Sequence, residues 1–169
     1  MASAPGSAPG SAPGIDLHRV FDAPREYVYR AWTEPERFAA WFGADLDVPV
    51  DGVLLDVRAG GAWHATMITP DGGELPFWGE YQEAVPPERL MFTLADRSSD
   101  DGAEGELVSV ALTELGDGRT GMRFQQLGGN LTAEQYAAAE AGWSGFFDRL
   151  ASDLASGLAE DSGPPSDPA

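Results

Sequence analysis

Residues 132–158 read TAEQYAAAEAGWSGFFDRLASDLASGL, and this stretch decides the fold. Thr132 and Gln135 form a capping-box pattern: the threonine hydroxyl accepts from the helix N-terminus and the glutamine reaches back to the Thr132 N–H. Tyr136, Ala139, Trp143, Phe146, Phe147, Leu150, Leu154 and Leu158 then trace one apolar stripe over several turns. The spacing predicts a long amphipathic helix whose stripe must be buried. Gly142 and Gly145 each cost about 1 kcal/mol relative to alanine inside a helix. Either close packing against a sheet or space kept for a ligand accounts for them.

Upstream, from Asp51 to Leu127, the texture is that of strands and tight turns. Val53 to Arg58 is followed by a turn or bulge at Gly60-Gly61. Trp63, Ala65 and Met67 alternate with His64, Thr66 and Ile68, and Asp71-Gly72-Gly73 is a hairpin signal. Phe77 to Ala84, Leu90 to Ala95, the alternation Val108-Val110-Leu112 and a last strand bearing Met122 and Phe124 complete the series. An acidic loop spans Asp96 to Gly105. Earlier still come a strand from Asp16 to Asp22 and two short helices, one after Pro24 with Tyr27, Val28, Ala31 and Trp32 at helical spacing. The second follows Pro35 and carries Phe38, Trp41 and Phe42. The order is one strand, two short helices, six strands and one long helix, an α+β arrangement. Short turns between neighbours imply an antiparallel sheet of about seven strands, and only the last helix is long enough to cover it.

The ends differ from this core. Residues 1–14 are Met-Ala and three Ser-Ala-Pro-Gly repeats, and 159–169 are acidic and proline-rich. Both are expected to be disordered tails around a single domain at 15–158. No basic, apolar leader and no bilayer-length apolar run is visible, so a soluble cytoplasmic protein without membrane contact is expected. The net charge is −18, from 28 acidic and 10 basic residues, and every basic residue is arginine. Without a basic patch to release counterions, nucleic acid is not an expected partner. There is no cysteine and no lysine, which excludes disulfides, thiolate metal sites, cysteine nucleophiles and Schiff-base chemistry.

Several stretches resemble the bacterial proteins similar to the activator of the ninety-kilodalton heat-shock chaperone ATPase, within the START-like (Bet v 1-like, SRPBCC) superfamily. They are Arg19-Val-Phe-Asp-Ala-Pro-Arg25, Ala31-Trp-Thr-Glu-Pro-Glu-Arg37 with Trp41-Phe-Gly43, and Asp56-Val-Arg-Ala-Gly-Gly-Ala-Trp63. Gly79-Glu-Tyr-Gln-Glu83, Pro87-Glu-Arg-Leu90 and Gly142-Trp143 add to them. The resemblance implies a helix-grip fold, in which the curved sheet and the long helix enclose a cavity. It does not imply a reaction, because this fold hosts many functions.

A catalytic constellation is not visible in the residues. No nucleophile elbow, phosphate loop or dinucleotide fingerprint occurs, and no cofactor or metal is expected. His18 and His64, on separate strands, lack a metal-ligand spacing. Asp96, Asp100, Asp101, Glu104 and Glu106 miss the calcium-loop pattern and read as a solvated loop. His64 and Glu80 are kept as candidate polar contacts, the latter beside Gln82 and Glu83, whose bland reading is a solvated face; Arg123 reads the same way. The apolar candidates for a cavity lining are Trp32, Trp41, Trp63, Met67, Trp78, Tyr81, Phe92, Met122, Phe124, Trp143, Phe146 and Phe147, most of which are expected to be core.

The leading expectation is non-catalytic binding of a small hydrophobic molecule by a monomer or homodimer. The superfamily adds one special form, sequestration of an enediyne antibiotic with self-sacrifice, which needs only a backbone Cα–H near the diradical, most open at a glycine; Gly79, Gly128 and Gly129 are the candidates. A polyketide cyclase using Tyr81, Glu80 or His64 as acid–base groups is the alternative. Chaperone regulation, implied only by the family's name, ranks last.

Overall fold

The computed structural model describes residues 14–96, 105–128 and 131–161. The chain runs β1 (Gly14–Phe21), α1 (Arg25–Thr33), α2 (Pro35–Trp41), a single 3-10 turn at Val50–Gly52, β2 (Leu54–Leu55), β3 (Ala62–Ile68), β4 (Glu74–Val85), β5 (Arg89–Asp96), β6 (Glu106–Gly116), β7 (Arg119–Leu127) and α3 (Ala133–Asp161). Among the described residues, regular structure runs from Gly14 to Asp161. The expected tails beyond those points lie outside the described residues.

The sheet order is β1-β7-β6-β5-β4-β3-β2, with every neighbouring pair antiparallel. The α1–α2 segment carries the chain from one edge of the sheet to the other, and a meander then brings it back to pair with β1. The two short helices are separate because Glu34 precedes Pro35. The proline ring disfavours helical backbone at the residue before it, and Glu34 sits at φ −104°, ψ 126°. Its N–H still closes α1 on the Arg30 carbonyl at 2.8 Å, while its own carbonyl receives Phe38 N–H at 2.8 Å.

The capping box of α3 is formed as read: Gln135 N–H donates to Thr132 Oγ1 at 3.1 Å, and Thr132 N–H donates to Gln135 Oε1 at 2.8 Å. Tyr136, Trp143, Phe147, Leu150 and Leu154 are buried by the helix against the sheet and the short helices. Trp32 is the hub beneath them. Its ring lies 4.8 Å from Trp41 and 6.2–6.3 Å from Phe92, Phe124, Trp143 and Phe147. Each such aromatic pair adds about 0.5–1.5 kcal/mol beyond area burial.

Between β4 and β5 the ladder is opened by a side chain. The Trp63 indole N–H donates to the Thr93 carbonyl at 2.7 Å, and Glu80 N–H goes to the Thr93 hydroxyl at 2.9 Å. A Cβ on Gly79 would stand 1.9 Å from the Thr93 carbonyl oxygen and 2.6 Å from the indole nitrogen. Glycine is required there for close approach.

No helix among the described residues is long and apolar enough to cross a membrane.

Candidate functional site

A cavity of about 220 Å³ opens between the N-terminal half of α3 and the sheet. α3 contributes Ala139, Gly142, Trp143 and Phe146, with Leu131 just before it; α2 ends against it at Phe42. Met67 of β3, Phe77 of β4, Leu94 and Asp96 of β5 and Gln126 of β7 form the sheet side. The strand period of two explains this set. Trp63, Ala65 and Met67 face inward, so their β4 partners Gly79, Phe77 and Leu75 share that face.

The polar group that matters is Gln126, only 3% exposed. Its Oε1 accepts the Trp143 indole N–H at 2.8 Å, and its Nε2 donates to Glu106 Oε1 across a longer 3.5 Å. Both Gln126 and Glu106 are buried on the inward face, in phase with Phe124 and Val108. Trp143 is thereby fixed in orientation as a flat wall, and the amide presents a polar point at the floor. Gly142 opens the opposite wall: a Cβ built there meets nothing within 4 Å. Gly142 is exposed, and close packing against the sheet does not account for it.

Of the twelve apolar residues expected to line a cavity, Met67, Trp143 and Phe146 do so. Trp32, Trp41, Trp63, Tyr81, Phe92, Met122, Phe124 and Phe147 fill the core instead and do not line this cavity. Trp78 is a correction: it lies on the outer face, 41% exposed, opposite His64. Trp78 and Tyr81 are three residues apart on one strand, and the β4 irregularity falls after Tyr81. They therefore cannot face the same way.

The candidate polar contacts follow the outer face as well. His64 Nδ1 lies 3.0 Å from the Gly52 carbonyl, and Glu80 is exposed. Tyr81 is buried beside Phe92, where burial pushes its phenol up, with Tyr29 and the Asp56 carboxylate adding to the shift. His64, Glu80 and Tyr81 thus do not meet at the cavity. Gly79 packs against Thr93 and Trp63 rather than the cavity, Gly128 is outside the lining, and Gly129 lies outside the described residues. Glu106, read as part of a solvated acidic loop, is a buried strand residue; Asp100, Asp101 and Glu104 lie outside the described residues. Among the described residues no group of three or more His, Asp or Glu could hold a metal ion. Arg123 is on the outer face as read, paired with Asp16 at 2.8 Å, and that pairing holds the Asp16 carboxyl below its usual range.

Phe42, Phe77, Leu94, Asp96, Gln126, Leu131 and Ala139 are lining residues that sequence reasoning missed. For Gln126 and Phe77 the signal was present: each is in phase with inward neighbours two residues away.

A seven-stranded antiparallel sheet gripping one long C-terminal helix over an apolar cavity defines a helix-grip protein of the START-like class. The chain belongs to the activator of Hsp90 ATPase homolog 1-like family, whose model matches residues 22–155. It is similar to a crystal structure from Chromobacterium violaceum, 30% identical over 83% of this chain and 96% of that one, with a TM-score of 0.69. The solution structure of an AHSA1-like protein from Aeromonas hydrophila is 27% identical over 86% and 94%, with a TM-score of 0.70. A Rhodobacter sphaeroides structure, 23% identical over 88% and 96% with a TM-score of 0.72, shares the fold. No curated protein matches the chain by sequence.

Proposed function

We propose that this chain is a binding protein that holds a compact, mostly apolar molecule beneath the N-terminal half of α3. The observation that carries the reading is the apolar cavity with the buried Gln126 amide at its floor, bordered by Gly142, an exposed helix glycine with nothing within 4 Å of its Cβ position. Ligand sites commonly enclose about 300–1,000 Å³, so a cavity of about 220 Å³ favours a short, ring-like molecule over a long acyl chain. A planar ligand would lie on Trp143, Phe42 and Phe146. Its carbonyl or hydroxyl oxygen would take the Gln126 Nε2–H, whose present partner is at 3.5 Å.

Binding is favoured over turnover because acid–base catalysis needs two groups of matched roles at the substrate. Among the described lining residues Asp96 is the one ionisable side chain. The natural-product form of the reading, sequestration with self-sacrifice, needs a backbone Cα–H beside the ligand, and a glycine offers the most open one. Gly142 is the glycine among the described lining residues, so the cut in that case falls there rather than at Gly79 or Gly128.

Native mass spectrometry of the protein purified from its own host tests the proposal. A compact molecule retained in the native spectrum and released on denaturation supports it, and a chain shortened at Gly142 supports the sacrificial form. Bare, intact protein that also takes up no small aromatic compound on titration would overturn it.

A further inference from the structure

The charge around the α3 cavity is one-sided. Asp96, at the end of β5, is half-buried and directly across the ladder from Phe77, so the carboxylate and the ring share the inward face. Glu106, 5% exposed, stands behind Gln126 and pairs with Leu94 along the strands. The Trp143 indole can only donate, so it takes Gln126 Oε1 and leaves Nε2 turned towards Glu106. No arginine is among the described lining residues. Eight of the ten arginines are ion-paired with carboxylates that do not line the cavity. Arg97, the one basic residue of the stretch 96–106, is outnumbered by five carboxylates there. The apolar side of the cavity is aromatic: the Phe42 ring lies 5.8 Å from Phe77, 6.1 Å from Trp143 and 5.4 Å from Phe146, at interplanar angles of 56–89°.

We propose that the molecule held in this cavity is a small, ring-bearing organic cation, its ring against Trp143 and Phe146 and its ammonium head between Phe77 and Asp96. This rests on the reading of the cavity as a ligand site and adds the charge of the ligand. A carboxylate ligand would enter the field of Asp96 and Glu106 with no cation among the described lining residues to offset it, on a chain of net charge −18. A neutral molecule of the same shape would use the rings and leave that field unused. A protonated amine gains from both. An aromatic ring attracts a cation over its face within about 6 Å of the centroid, and a hydrogen bond between two charged groups is the stronger kind.

The test is a methyl NMR titration of the full chain with 2-phenylethylammonium, 2-phenylethanol and phenylacetate, which share a ring and differ in the charge of the head group, with affinities from calorimetry. The ammonium ion is expected to shift Met67, Leu94 and Ala139 and to bind about tenfold tighter than the alcohol, with phenylacetate weakest. Asp96→Asn should cut that preference to about threefold, the share left to the rings. Asp117→Asn, which removes the same charge at the β6–β7 turn, should leave it unchanged. The alcohol or phenylacetate binding at those methyls as tightly as the ammonium ion overturns the proposal and leaves the cavity a ligand site. A preference that survives Asp96→Asn in full, or falls equally in Asp117→Asn, also overturns it. No binding by any of the three, or shifts confined to other methyls, overturns both the proposal and the reading beneath it.

Discussion

Gly142 and Gln126 hold opposite sides of the same cavity and illustrate how single residues set a binding site. A glycine in a 29-residue helix is tolerated although alanine would suit the helix better by about 1 kcal/mol. Gly142→Ala should therefore raise the melting temperature by about 2–4 °C in a chain of this size while weakening ligand uptake, because the added methyl enters the cavity. Calorimetric melting and ligand titration on the same variant check both halves; a stabilised variant with undiminished binding would contradict the role assigned to Gly142. The glycine was visible in the sequence with two explanations, and only the built backbone separates them. Gln126 was legible in principle, two residues beyond inward-facing Phe124. Naming both Trp78 and Tyr81 as inward ignored the strand period, and size of side chain was the wrong guide there.

At the scale of elements, local chemistry was the most readable part of the chain. Pro35 breaks α1 from α2 through Glu34, and the Thr132–Gln135 box starts α3 where expected. Thr132→Ala should cost about 1 kcal/mol, the usual worth of an N-cap side chain, and lower the melting temperature by about 2–4 °C. Because α3 forms one wall of the cavity, hydrogen exchange at its first turns should quicken in that variant, and unchanged exchange would contradict the assignment. The insertion of the Trp63 indole between β4 and β5 was not legible. It joins residues 30 positions apart, and nothing local marks it except an unexplained glycine at position 79.

At the scale of the whole molecule the charge and the cavity dominate. With 28 acidic residues against 10 arginines, repulsion among like charges outweighs exposed pairs such as Arg123–Asp16, each worth about 0–1 kcal/mol. Raising sodium chloride from about 0.05 M to 0.5 M shortens the screening length severalfold, so the melting temperature should rise. A fall would mean that the ion pairs contribute more than the repulsion removes. The sheet order, with β1 returning beside β7, was not legible in the periodicity, because alternation fixes faces and not neighbours. The central claim is that the space beneath Gly142 receives a ligand. The most direct measurement is a methyl NMR titration with a small fused-ring aromatic alcohol, on the native chain and on Gly142→Leu. The account predicts saturable shifts at Met67, Leu94, Leu131 and Ala139 that vanish in the leucine variant while the fold is retained. Shifts at those methyls that persist unchanged with Gly142→Leu, or none at all in the native chain, would contradict it.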